Sequence, residues 1–191
     1  MSISFIQTYL SKFSKEYPQI NYELYEVSIL EQINQMLTGK TEIGVANAPL
    51  TQESRFDTIY TKQERLVAVM HKDNPWLPAD DKALLLAHME DMPICLSRGC
   101  STLFLNVCSD SIIFPQILSI NSTKLSTIAW AKENAGIAVV PASPGEIFDN
   151  DLICKIIRDD RLFLNKTLSI VKGRPLSNVA QLFLNYFSQH S

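Results

Sequence analysis

The sequence predicts an α/β fold with a parallel sheet covered by helices on both faces. Two patterns in the 191 residues carry that reading. Apolar residues recur at helical spacing in some windows, and short unbroken apolar runs lie between those windows. A third observation concerns organisation. No low-complexity or polar spacer divides the chain and no internal repeat is present, so any two lobes must be interleaved along it.

The elements follow in order. Ile3, Ile6, Leu10 and Phe13 mark a first helix, which also carries Phe5 and Tyr9 beyond that stripe. It stops at Tyr17-Pro18, because proline disfavours helical geometry in the residue before it. Ile20, Tyr22 and Leu24 alternate with polar neighbours and predict a strand. A second helix carries Ile29, Ile33, Met36 and Leu37, with Ile29 assigned to its core face, and Gly39 suits a left-handed close. IGVANA (43–48) reads as a short buried strand and residues 64–71 (ERLVAVMH) as another. A short helix over 84–89, the strand PICLS (93–97), a helix over 101–110 and a strand over 116–121 come next. A helix over 123–135 carries Leu125, Ile128 and Ala131, and Gly136 is read as its cap before the strand IAVVP. Ser143-Pro144 suggests a cap with proline in the first helical position. Strands near 152–157 and 168–171 precede a last helix with an apolar stripe of Val179, Leu182, Phe183, Tyr186 and Phe187.

Composition narrows the function. A hydrophobic fraction of 46% can fill a real core, while 19% charged residues and a net charge of −3 include no Lys/Arg cluster. This chain is therefore not expected to bind nucleic acid by itself. Neither a leader pattern nor eighteen consecutive apolar residues occurs, so the expectation is a cytoplasmic protein that does not enter membranes. Cys95, Cys100, Cys108 and Cys154 lack zinc-site spacing, and His71, His88 and His190 are scattered. With no HExxH, GxSxG, P-loop or dinucleotide fingerprint, the expectation is a non-enzyme with no cofactor and no metal.

The joint order of several segments resembles the effector-binding domain of LysR-type transcriptional regulators over nearly the whole chain. These segments are FSKEYPQINYELYEVS, LEQINQMLTGKTEIGVA, ERLVAVMHKDNPW, the SRGCST turn and AGIAVVPAS. The resemblance implies a type 2 periplasmic-binding-protein-like fold of two interleaved α/β lobes with an effector cleft between them. One lobe would hold 1–63 and 167–191, and the other 64–166. It also implies a small-molecule effector, a homodimer (possibly a tetramer in the full-length regulator), and DNA binding only through a winged helix-turn-helix absent from this chain. Two departures stand out. The family's domain ordinarily opens with a strand before helix one, whereas this chain starts at the helix, and Glu42 replaces an aspartate.

In such a fold, ligands sit beyond the carboxyl ends of strands, where helix N-termini offer unpaired N–H groups. Ser2 and Ser4 at the first helix, Ser28 and Ile29 at the second, Asn47 after IGVA, Ser97, Arg98, Cys100, Ser101 and Thr102 after PICL, and Ser122 and Thr123 after QILSI occupy such places. Each hydroxyl can serve merely as a cap for its own helix. Four converging turns favour a shared polar pocket instead. Arg98, the one cation in the set, points to an anion or carboxylate, with a solvated surface arginine as the alternative. Two other functions stay open: a stand-alone solute-binding protein, and a regulator whose switch is a reactive Cys100. Eight helical residues separate Cys100 from Cys108 by about 12 Å, beyond the roughly 7 Å limit for a disulfide, so an inert pair is expected.

Overall fold

The computed structural model describes residues 4–47, 53–76, 83–143, 146 and 148–190. The chain divides into two compact units, 1–61 with 167–191, and 62–166.

The first unit is built from α1 (Ser4–Glu16), α2 (Ile29–Thr38), β1 (Ile43–Ala46), the first part of β2 (Phe56–His71), most of β8 (Phe163–Val171) and α5 (Asn178–His190). β1 pairs antiparallel with β8, Val45 opposite Leu168. The alternation of a strand sends Val45 to one face and Ala46 to the other. Val45 packs with Phe13, Phe183, Tyr186 and Phe187 of α1 and α5, and Ala46 with Ile33, Met36 and Phe56. Phe13 is fully buried, its ring centroid 5.3 Å from that of Phe183 and 5.2 Å from that of Tyr186. α2 ends because Gly39 takes a left-handed φ of 79°. The Arg174 guanidinium then donates to the carbonyls of Met36 and Leu37 at 2.5 and 2.8 Å, satisfying acceptors that a helix end leaves free. Glu42 accepts from the Ser177 N–H and hydroxyl, which ties β1 to the start of α5.

The second unit holds the rest of β2, then β3 (Ala83–Leu85) with a 3₁₀ turn (Leu86–Met89), β4 (Pro93–Ser97), α3 (Arg98–Asp110), β5 (Gln116–Asn121), α4 (Lys124–Lys132), β6 (Ile137–Ala142) and β7 (Leu152–Arg158). Its strands run in the order β2-β6-β4-β5. β4 is parallel to β5 and β6, whereas β2 is antiparallel to β6 and β7. Alternate residues of LVAVM again serve two cores. Leu66, Ala68 and Met70 pack with Cys100, Phe104 and Val107 of α3, and Val67 and Val69 pack with Ala131 of α4.

Several expectations need correction. The sheet is mixed rather than parallel, because a continuous apolar run records burial on both faces and not strand direction. No strand forms over 20–24, since none of the described strands runs beside it and a strand exists only with a partner. Tyr9 belongs to the core, its ring 4.5 Å from that of Phe187; the side chain of Phe5 lies outside the described residues. Ile29 is 41% exposed, the buried face of α2 being Gln32, Ile33, Gln35 and Met36. α3 starts three residues earlier than expected, at Arg98. On α4 the buried positions are Lys124, Thr127 and Ala131, which leaves Leu125 facing solvent. α4 also ends at Lys132, and Asn134, not Gly136, takes the left-handed backbone. Pro144 lies outside the described residues.

Gly136 has a different reason to be glycine. A Cβ there would sit 2.8 Å from the Pro93 carbonyl oxygen, a backbone atom fixed in the sheet. Gly136→Ala is expected to lower stability by about 1–3 kcal/mol, the cost of overpacking, seen as a lower urea midpoint at unchanged slope.

Candidate functional site

Parallel pairing brings the carboxyl ends of β4, β5 and β6 to one edge of the second unit. Ser97 at the end of β4 lies opposite Asn121 at the end of β5, and Leu96 lies opposite Val139 of β6. α3 starts directly after β4, and α4 starts three residues beyond β5. Two helix N-termini, with the positive ends of their dipoles, therefore open on this edge. That arrangement suits an anion.

The side chains divide into those engaged locally and those left available. Thr123 caps α4 through a reciprocal box with Ser126, its Oγ1 accepting from the Ser126 N–H at 3.1 Å. Ser28 likewise caps α2 by accepting from the Glu31 N–H. For both residues the capping role is the one observed. Ser97, by contrast, makes no side-chain cap bond; its Oγ lies 3.1 Å from the Cys100 sulfur. Ser101 donates to the Arg98 carbonyl at 3.1 Å. Arg98 and Thr102 in the first turns of α3, and Ser122 before α4, are exposed. Among the described residues no hydrogen bond or ion pair engages the Arg98 guanidinium.

The structure thus brings Ser97, Arg98, Cys100, Ser101, Thr102, Ser122 and Thr123 to one edge of one unit. Ser28, Ile29, Asn47 and Ser4, the first residue of α1, belong to the other unit, and Ser2 lies outside the described residues.

Cys100 is buried, with its sulfur within reach of the Ser97 and Val139 carbonyl oxygens. Burial pushes its thiol above the ordinary cysteine value. Cys108 is raised as well, to about 11, by burial and then by the nearby Asp159 carboxylate. Neither holds the thiolate that reacts with peroxide.

Sequence reasoning missed the ionic groups behind this edge. Lys124, the first residue of α4, is buried, its Nζ donating to the Pro141 carbonyl at 2.7 Å and to Glu146 at 2.5 Å. Glu146 also accepts from the Ser143 N–H, and the Ser143 hydroxyl donates to Glu64 at 3.0 Å. Glu64 in turn pairs with Lys166 at 2.6 Å, the two side chains being only 3% and 1% exposed. Burial holds the Lys166 ammonium below the usual lysine value, with the Glu64 charge acting in the opposite direction. A signal did exist. A lysine in the first turn of a helix opposes the helix dipole, and Glu64 and Lys166 stand among strand residues.

A fold of two α/β units whose chain passes twice between them, with helix starts at the ends of parallel strands, is periplasmic-binding-protein-like. The chain belongs to the LysR substrate binding domain family, whose profile matches residues 1–191. It is 22% identical over 166 residues to the HTH-type transcriptional regulator AlsR of Bacillus subtilis (strain 168), covering 84% of this chain and 53% of AlsR. The chain therefore spans about half the length of that relative. The fold is similar to that of the regulatory domain of CcmR from Synechocystis PCC6803, with a TM-score of 0.78, 17% identity, and coverage of 98% of this chain and 91% of that one. It is similar also to CbnR, a LysR family transcriptional regulator, with a TM-score of 0.75, 18% identity, and coverage of 97% and 63% respectively.

Replacing one partner of the buried pair strands the other charge. Glu64→Gln is expected to cost about 3–5 kcal/mol, and the double variant Glu64→Gln/Lys166→Met to recover most of it. Urea unfolding of the single and double variants measures this, and a single-variant cost below about 1 kcal/mol would contradict the pairing.

Proposed function

We propose that this chain is the ligand-sensing domain of a LysR-type transcriptional regulator, binding a small anionic effector between lobes formed by 1–63 with 167–191 and by 64–166. The observation that carries the anionic reading is Arg98, exposed and unengaged among the described residues in the first turn of α3, on the edge where α4 also starts. A guanidinium beside helix N-termini grips a carboxylate or phosphate with paired hydrogen bonds. Thr102 and Ser122 stand ready as neutral donors, while Ser97, Cys100, Ser101 and Thr123 shape the turn. Ser28, Ile29, Asn47, Ser2 and Ser4 would contribute from the other lobe. Support from relatives is of the same kind: the CcmR regulatory domain was solved in complex with 2-PG, and CbnR with its target DNA. DNA binding would reside in a separate winged helix-turn-helix of a cytoplasmic regulator. The burial of Cys100 and Cys108 disfavours the redox switch.

A thermal-shift screen of mono- and dicarboxylates, followed by calorimetry, tests the site. Arg98→Ala is expected to weaken a hit about tenfold or more, the loss of one charge-assisted contact. Unchanged binding in that variant would refute the anionic reading.

Pairing of two copies is also part of this reading. β5 ends the sheet order of its unit, and Leu118, Ile120, Ile112 and Phe114 on and before it are exposed apolar residues, a surface that a monomer ordinarily keeps small. The protein should be dimeric by light scattering at tens of micromolar, and Leu118→Lys/Ile120→Lys should shift it to monomer. A wild-type monomer at that concentration would count against the pairing.

A further inference from the structure

In the second unit the Lys124 ammonium is buried at the start of α4, and the carboxylate it contacts, that of Glu146, is the more exposed of the two: the side chains are 9% and 21% exposed. We propose that Lys124 and the Ser143 N–H form a carboxylate subsite which the chain's own Glu146 fills, so that Glu146 is an internal competitor that an incoming carboxylate displaces. This subsite rests on the reading of the edge as an anion site and adds to it a cation that is not exposed.

The contacts around Glu146 are those that a free carboxylate would make. One oxygen accepts from Lys124 Nζ at 2.5 Å, and the other from the Ser143 N–H at 3.2 Å. Lys124 Nζ donates also to the Pro141 carbonyl at 2.7 Å, near the carboxyl end of β6. The ammonium therefore stands on the edge where β4 and β5 end. Its charge reaches the Cys100 thiol in the first turn of α3: burial raises that thiol, while the Ser97 hydrogen bonds and then Lys124 act in the opposite direction. One cation is thus felt at the starts of both helices.

The two partners differ in what separation does to them. Lys124 is held in the first turn of a helix, where the dipole already disfavours a cation, and a buried ammonium without a counter-charge is strongly unfavourable. Glu146 belongs to no helix or strand and is partly open to solvent, so its carboxylate can be hydrated when it leaves. The site therefore demands a carboxylate, but not this particular one. Glu64, the other carboxylate in this ionic chain, is the opposite case: it is 3% exposed and paired with Lys166. The ligand chemistry follows from the donors. One ammonium and one N–H match the two oxygens of a carboxylate, and a neutral amide or alcohol would leave the Lys124 charge uncompensated.

Glu146→Ala vacates the subsite, and acetate is the probe, with acetamide as its neutral counterpart, both at constant ionic strength set with sodium chloride. Acetate is expected to bind Glu146→Ala at least about tenfold more tightly than the unaltered protein, followed by the Ser143 amide resonance and by a rise in thermal midpoint. Acetamide should produce neither change, and Glu146→Ala/Lys124→Met should lose the response to acetate. Equal acetate affinity in Glu146→Ala and the unaltered protein would overturn the proposal, as would an equal response to acetamide or a response that survives in the double variant. If Glu146→Ala is unfolded without ligand, the readout is recovery of its helical circular dichroism by acetate and not by acetamide, and the absence of that recovery overturns the proposal equally. The effector reading fails on different data, namely the lack of any carboxylate hit on the unaltered protein or unchanged binding in Arg98→Ala.

Discussion

The second unit is organised around a buried ion pair. Glu64 and Lys166 lie on the two strands by which the chain enters and leaves that unit, and their 2.6 Å contact is almost wholly removed from solvent. Such a pair is poor evidence of net stability, because desolvation offsets most of its attraction, but it tolerates few alternative arrangements. Each charge needs its partner at one place, so the pairing of β2 with β8 is constrained at Glu64 and Lys166. The chain of contacts continues through Ser143 to Glu146 and Lys124, and so to the first residue of α4. A helix start on the candidate ligand edge is thereby fixed to the strands that carry the chain between units.

Chemistry on that edge follows from strand direction. Because β4 runs parallel to β5 and β6, three carboxyl ends and two helix N-termini share one side. Had these strands been antiparallel, the same serines and threonines would have been scattered over opposite edges. The hydroxyls themselves matter less than their number suggested, since Thr123 and Ser28 are spent on caps. On this edge the exposed polar side chains are those of Arg98, Thr102 and Ser122.

The strand order ends at β5 in the second unit and at β1 in the first. β5 in the second unit ends its sheet with exposed aliphatic side chains, suited to another surface. β1 stands at the other end of that order, in the first unit, with Val45 packed against Phe13 and Phe183.

By itself the sequence determined the family, the apolar windows and most of the helices and strands, because these depend on local periodicity, proline, glycine and capping residues. Helical spacing found Phe13, Phe183 and Phe187, and the run LVAVM announced a strand buried on both faces. Tertiary structure decided what local pattern cannot encode. Strand direction, the absence of a partner for 20–24, the exposure of Ile29 and Leu125, and the close approach that requires Gly136 all depend on what packs opposite. The ionic chain from Lys124 to Lys166 is the clearest case: its members are separated by up to 102 positions, and a charge reveals itself as buried and paired only when the fold brings its opposite to it.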